Sequence, residues 1–321
     1  MKYLRALFVV LLAAASSVGA QEAFPKGPVK MIVGYAPGGG TDIIARILAP
    51  ALSEELGQSV YVDNRPGASG TIGAQALVKS PPDGHTLMMG VVSLNAVQPS
   101  LNPNLPYDTR RDLVPVSLTA SVPHFIAVHP SVPVKNLQEL VAYAKANPTA
   151  ISFPSAGSGT TPHLAGELFK RLTGTQMLHV PYKSTGASLP DLLAGTHKVS
   201  FDTYPSVAAL VKSGKLRALA VAADARLADF PDVPTAAEAG VPFRMSTWYG
   251  VFAPKGTPKA IVSTLHAKTQ SALARPAIRS ALKEAGADNS VTRTPEEFEK
   301  FVQADMDRYA AVVKEANIKL D

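Results

Sequence analysis

Twice in this chain a strand-like apolar run ends in a glycine-rich loop that opens directly into a helical pattern, and no other feature limits its fold as strongly. The first run, residues 28–35, closes on Ala36-Pro37-Gly38-Gly39-Gly40, where glycine permits backbone angles that other residues resist. Ile43, Ile44, Ile47, Leu48, Ala51 and Leu52 then recur at helical spacing until Gly57. Thr41 or Gly40 can cap this helix, and Asp42 suits its positive end. The second run, residues 151–154, leads into Ser155-Ala156-Gly157-Ser158-Gly159-Thr160. Thr160 or Thr161 caps the next helix, and Pro162 falls in its first turn, where its missing N–H costs nothing.

Between and beyond these loops the same alternation continues, which is the signature of parallel α/β layers. Strands are expected at 60–62, 86–92, 116–122, 125–129, 177–180, 198–202, 216–222 and 245–253, and helices at 71–78, 137–146, 187–193 and 207–213. The Pro-rich stretch 99–115 reads as a long surface connection. The last quarter is nearly all helical, at 259–273, 277–285 and 295–316, and three closing helices need a sheet to cover. Returning the chain to the first unit supplies one. The expected architecture is therefore α/β with two lobes, each a mainly parallel sheet flanked by helices, and a cleft between them. Residues 21–123 with 250–321 form the first lobe and 124–249 the second. Ligands in open α/β sheets sit beyond the carboxyl ends of strands, where both glycine loops lie.

Residues 1–20 stand outside that fold. Lys2 and Arg5, the apolar run 6–15 and the small residues Val18-Gly19-Ala20 read as an export signal cut after Ala20. The run is shorter than the roughly 20 apolar residues that span a bilayer. Cleavage removes the charges of Lys2 and Arg5 and lowers the net charge from +6 to +4, with no cluster of basic residues. Nucleic acid and anionic membranes are thus poor partners. With no cysteine at all, thiolate nucleophiles, iron–sulfur centres, thiolate zinc sites and disulfides are excluded. A monomeric, soluble, exported protein is expected.

A helix N-terminus presents unpaired N–H groups and about half a positive charge, so it holds a carboxylate or phosphate without a basic side chain. Two such ends facing each other suit an anion. Tyr35 can line one wall, and Thr41, Ser155, Ser158 and Thr160 add hydroxyls. Nucleotide binding is disfavoured: Ile43 and Pro162 stand where a dinucleotide fingerprint needs glycine, and no Gly-Lys-Ser or Gly-Lys-Thr occurs. Ser158 lies in Ala-Gly-Ser-Gly rather than Gly-x-Ser-x-Gly, so a hydrolase nucleophile is the weaker alternative. His163 and Glu167, four apart on one helix, can share a metal but lack a third ligand in sequence range. Asp202 ends an apolar strand and can accept a ligand N–H or cap a helix before Pro205. No catalytic residue, metal or cofactor is expected.

The segments 32–42, Asn64-Arg65-Pro66-Gly67-Ala68, Pro82-Asp83-Gly84, Leu105-Pro106-Tyr107-Asp108, 155–160, His163-Leu164-Ala165-Gly166-Glu167, His179-Val180-Pro181-Tyr182-Lys183, 215–220 and Asp232-Val233-Pro234-Thr235 resemble, in order, the Bug or TctC-like family. These are periplasmic solute-binding proteins of tripartite tricarboxylate transporters. The resemblance implies capture of a small organic acid by closure of two lobes and delivery to membrane transporter subunits. A sensory receptor with a signalling partner is the alternative within this class. It also implies that the loops 35–42 (Tyr35, Ala36, Pro37, Gly38, Gly39, Gly40, Thr41, Asp42) and 155–160 (Ser155, Ala156, Gly157, Ser158, Gly159, Thr160) grip the acid, with Ser93, His163, Asp202 and Thr203 beside them. Tyr35 stands where Phe is frequent in the family, and Thr203 and Tyr204 where Asn and Leu are common. These departures imply a more polar, aromatic far end to the pocket.

Overall fold

The computed structural model describes residues 24–148, 150–287 and 294–316; the expected export signal lies outside the described residues. The chain opens with β1 (Val29–Val33), α1 (Gly40–Leu56), β2 (Val60–Asn64), α2 (Thr71–Val78) and β3 (Thr86–Val91). Parallel pairing puts β1 between β2 and β3. The α1 face carrying Ile44, Leu48 and Leu52 is fully buried, and Gly57 stops the helix in the left-handed conformation that glycine adopts without strain.

The two strands expected at 116–122 and 125–129 are one, β4 (Leu113–Val128), 16 residues long. Pro115 and Pro123 suggest breaks to a sequence reader, but each is accommodated inside this one strand, Pro115 beside a register shift. The partners of β4 change along its length. Its first part, to Pro123, pairs antiparallel with β9 (Ser246–Pro254), which continues the sheet to β3. From His124 onward it pairs antiparallel with β7 (Val199–Thr203) and β8 (Arg217–Val221). The returning chain meets it there: the His124 N–H donates to Met245 O, the Met245 N–H to Ala222 O and the Ala222 N–H to His124 O. Two lobes follow, joined where β4 and the 222–245 segment cross. In the first lobe β1, β2 and β3 share one direction and β9 opposes them; in the second, β7 and β8 both oppose β4.

The second lobe is completed by α3 (Leu137–Ala146), β5 (Ser152–Ser155), α4 (Thr161–Thr173), β6 (Leu178–Pro181), α5 (Thr185–Leu193) and α6 (Tyr204–Lys212), with β5 and β6 paired in parallel. The closing helices α7 (Lys259–Ala274), α8 (Pro276–Glu284) and α9 (Pro295–Ala316) return to the first lobe. There Trp248 of β9 donates its indole N–H to Asp305 of α9 at 2.7 Å, and its ring meets Phe298 edge-on. The stretch 99–115, read as a surface connection, instead runs through two short helical turns (Gln98–Leu101 and Thr109–Asp112) into the start of β4, and buried Tyr107 pins it to Leu94 O.

Candidate functional site

Four helices begin at one place. The N-caps of α1 (Gly39), α4 (Thr160), α5 (Ser184) and α6 (Thr203) all border a single cavity between the lobes. The first lobe contributes α1 and the second contributes the other three. The first turn of each helix leaves backbone N–H groups without intrahelical partners, so four positive ends meet there. Hydroxyls of Tyr35, Thr41, Ser93, Thr161, Thr185, Thr247 and Tyr249 complete a polar wall, with Val91, Ala156 and Pro162 as its apolar part. The lining holds no Lys or Arg, and its single carboxyl is that of Asp202.

The cavity measures about 30 Å³, the space of a water molecule rather than of a ligand. The lobes are closed upon it. Ala36 N–H donates to Lys183 O at 3.2 Å, Ser69 Oγ and Gln98 Nε2 both donate to Ser158 O at 2.8 and 2.9 Å, and the Thr161 and Thr247 hydroxyls meet at 2.7 Å. Outside this seal lies a wider cleft of about 640 Å³, bordered by Ala36, Ser69, Gly157, Ser158, Tyr182 and Lys183. Neighbouring residues divide between the two spaces: Tyr35 and Ala36, Ala156 and Gly157, Ser184 and Lys183. The two glycine loops and the turn before α5 are thus the partition between cavity and solvent.

Of the residues singled out from sequence, Tyr35, Gly39, Gly40, Thr41, Ser93, Ala156, Thr160, Asp202 and Thr203 line the inner cavity. Ala36, Gly157 and Ser158 line the outer cleft. Pro37, Gly38, Asp42, Ser155, Gly159 and His163 border neither space, and several of them brace the loops instead. Asp42 accepts the Gly38 N–H at 3.0 Å, Arg46 Nε at 3.0 Å and Asn64 Nδ2 at 2.9 Å. Burial opposes its ionisation, yet these donors outweigh that and hold its carboxyl below the usual range. Asn64 also donates to Tyr35 O at 3.0 Å, which gives the turn at 64–68 its task of fixing the first loop. In the second loop Ser155 Oγ accepts the Gly157 N–H, Thr160 Oγ1 donates to Gly157 O, and His163 Nδ1 accepts the Gly159 N–H. Gly157 and Gly159 both have positive φ, +121° and +77°. The cap of α1 is Gly39, not Gly40 or Thr41.

Tyr204, read as an aromatic wall of the pocket, turns into the core against Phe125 and Phe230 and donates to Asp229. The aromatic wall comes from Tyr249, which sequence reading missed together with Val91, Thr161, Pro162, Ser184, Thr185 and Thr247. A signal for two of these existed: Thr247 and Tyr249 are alternate residues of a strand and so share a face. Ser184-Thr185-Gly186 is a third such helix start, and unlike Gly39 and Thr160, which make no side-chain cap bond, Ser184 Oγ accepts the Ala187 N–H.

The electrostatics of the cavity follow from burial. Tyr35 and Tyr249 are pushed far above the ordinary phenol range by desolvation and stay protonated. His124, bonded to Thr247 Oγ1 at 2.8 Å, is pushed down to about 3 by burial and stays neutral. Asp202 is pushed up to about 7 by burial, against the pull of the Thr203 N–H, the Thr203 hydroxyl and Ser206. Among the described residues no group of three or more His, Asp or Glu is placed to hold a metal, and no helix is long and apolar enough to cross a membrane.

The chain is similar along nearly its whole length to proteins of one kind. The sequence profile described as tripartite tricarboxylate transporter family receptor matches residues 44–318. Protein BugT of Bordetella pertussis is 40% identical over 316 residues, covering 98% of this chain and 96% of its own. Among solved structures, MatC of Rhodopseudomonas palustris with bound malate superimposes with a TM-score of 0.87 at 33% identity, covering 90% of this chain and all of its own. A second R. palustris protein, solved with adipate, gives 0.89 at 35% identity, covering 93% of this chain and all of its own. This chain therefore belongs to the tripartite tricarboxylate transporter receptor family, whose members are periplasmic solute-binding proteins and not enzymes.

Proposed function

We propose that this protein captures a small organic acid in the periplasm by closing its lobes over it and hands it to the membrane subunits of a tripartite tricarboxylate transporter. The observation that carries this reading is the convergence of four helix N-termini, drawn from both lobes, on a cavity with no cationic side chain in its wall. Such a site attracts a carboxylate through backbone donors and hydroxyls. The malate and adipate held by two relatives support the acid class.

Closure is a population shift. The ligand contacts both lobes only in the closed form, so it stabilises that form over the open one. The moving bodies are residues 21–123 with 246–321 and residues 124–245: the second crossing, expected at 249–250, is placed four residues earlier because Ser246 pairs with Pro123 and Thr247 with Val122. The mature chain starts after Ala20 and works as a monomer. Loops 35–42 and 155–160, with Ser93, Asp202 and Thr203, grip the acid, and the start of α5 joins them.

The test is a thermal-shift screen of mono-, di- and tricarboxylates, aromatic acids and amino acids, because a ligand that binds only the folded state raises Tm. A rise of several degrees with an acid, absent with the corresponding amide or alcohol, is expected. Equal shifts with acid and amide overturn the reading. Reconstitution with the membrane subunits then tests delivery: uptake of the acid must require this receptor.

A further inference from the structure

Asp202 is the one feature of the cavity that its anion-seeking design does not explain. A buried carboxylate would repel the acid that four helix ends attract, and no cation in the lining offsets it. Its surroundings leave one way out. The Thr203 N–H and Thr203 Oγ1 both donate to Asp202 Oδ1, at 2.6 and 3.3 Å, bonds that either protonation state accepts, but Asp202 is buried in a lining without Lys or Arg, where two carboxylates side by side do not both stay ionised. Resting on the carboxylate reading above, we infer that Asp202 sets the ligand's charge requirement: it acts as a protonated acid that donates a hydrogen bond to a carboxylate of the ligand, and the protein takes up one proton from solvent as a dicarboxylate dianion binds.

The groups around Asp202 favour that proton. Tyr35 beyond β1 and Tyr249 on β9 remain neutral phenols, and Tyr204 on α6 is engaged with Asp229. His124 on β4, next to Asp202's register partner Phe125, is neutral down to about pH 3. His163 on α4 uses Nδ1 as an acceptor, and Asp42 on α1 spends its charge on Arg46. None supplies a positive charge to keep Asp202 ionised beside an anion. In the ligand-free protein its carboxyl already titrates at about 7, and an incoming carboxylate raises that value further. An ammonium would find acceptors among the hydroxyls but would face four positive helix ends. The arrangement therefore selects an acid over an amine as the partner of Asp202.

The sign runs one way. Affinity is full below the free value of about 7 and falls tenfold per pH unit from there up to the value Asp202 takes with ligand bound. Isothermal titration with succinate, malate and adipate at pH 6 and pH 8.5, in two buffers of different ionisation enthalpy, reads both affinity and proton uptake. The full exported chain, unfolded and refolded to strip bound solute, is expected to take up close to one proton per dicarboxylate at pH 8.5 and to bind at least tenfold more weakly than at pH 6. Asp202→Asn keeps the acceptor for Thr203 but cannot exchange a proton, so the binding it retains is expected to show no proton uptake and a flat pH response. Binding by the parent without proton uptake overturns this inference alone. So does an Asp202→Asn protein that takes up a proton on binding as the parent does. No binding of any acid at either pH overturns the carboxylate reading as well. The uptake measurement needs no variant, so a misfolded Asp202→Asn leaves the inference falsifiable.

Discussion

Gly186 offers a way to separate closure from folding. It is the second residue of α5, and a Cβ built on it would stand 2.6 Å from the Gly38 carbonyl carbon and 2.7 Å from Pro37 O, both backbone atoms of the other lobe. Its φ is not positive, so Gly186→Ala carries no local strain and replaces a poor helix former by the best, a gain of up to about 1 kcal/mol. Ordinary contact requires about 3.4 Å, so the lobes must part there by roughly 0.8 Å. The Ala36 N–H to Lys183 O bond, already 3.2 Å long and only a few residues away, then passes beyond hydrogen-bond range, and the paired donors on Ser158 O stretch with it. Losing one or two such bonds costs the closed state about 1–3 kcal/mol. Since ligand affinity is read through the closed population, that is a five- to 150-fold weaker Kd. Calorimetric titration measures it, with thermal melting as the fold control and Gly27→Ala, whose Cβ meets nothing within 4 Å, as the substitution control. The expected result is weakened binding at an unchanged or slightly raised ligand-free Tm. Unchanged affinity, or a Tm loss as large as the binding loss, would refute the reasoning.

Other outcomes follow from the same geometry. Thr161→Val removes the 2.7 Å cross-lobe bond to Thr247 while leaving Thr247 its bond to His124, and is expected to weaken binding about fivefold, roughly 1 kcal/mol, without moving Tm. Asn64→Ala removes the bonds to Tyr35 O and Asp42, so the first loop loses its brace; a Tm loss worth about 1–3 kcal/mol and a tenfold or greater loss of affinity are expected in melting and titration experiments. Asp202 makes ligand-free stability fall with rising pH: its folded value of about 7 lies above its ordinary 3.8, so its contribution is complete below about pH 4 and is lost as pH climbs through 7. The span is up to about 4 kcal/mol, and denaturant melts of the parent against Asp202→Asn at pH 4 and 8 must show the difference shrinking at the acid end. Gly159→Leu forces a side chain into φ +77° at the second loop and is expected to abolish binding in the same titration.

Most of the elements were legible because their periodicity and their caps agree. Ile44, Leu48 and Leu52 with Gly57 define α1 as clearly in the sequence as in the structure. What escaped was long-range. Pro123 looks like a strand end to any local rule, and only pairing with β9 on one side and with β7 and β8 on the other makes β4 continuous. The site divides in the same way. The backbone loops could be read from glycine, but whether a loop side chain faces the cavity or holds the loop depends on a partner elsewhere. Asp42 looked like a ligand contact and is a brace because Asn64 and Arg46 reach it. Tyr249 was hidden because an aromatic in an apolar strand reads as core, and only the approach of Thr203 across the cleft, with Gly40 beside it on its own lobe, makes it a wall.

The division of donors between lobes bears on release as much as on capture. Each helix end carries about half a charge, and its effect fades within a turn. The single end that the first lobe offers is therefore a weak holder, and the three of the second lobe share their field with the Asp202 carboxyl at the start of α6. An arginine on one lobe would hold an acid in the open form as well. Here the full set of donors exists only when Gly39 and Thr185 come together. Parting the lobes by a few ångströms thus removes recognition and the seal in one step, without breaking a charged pair. A membrane partner that prefers the open form can empty such a receptor using only the difference in its own affinity for the two states.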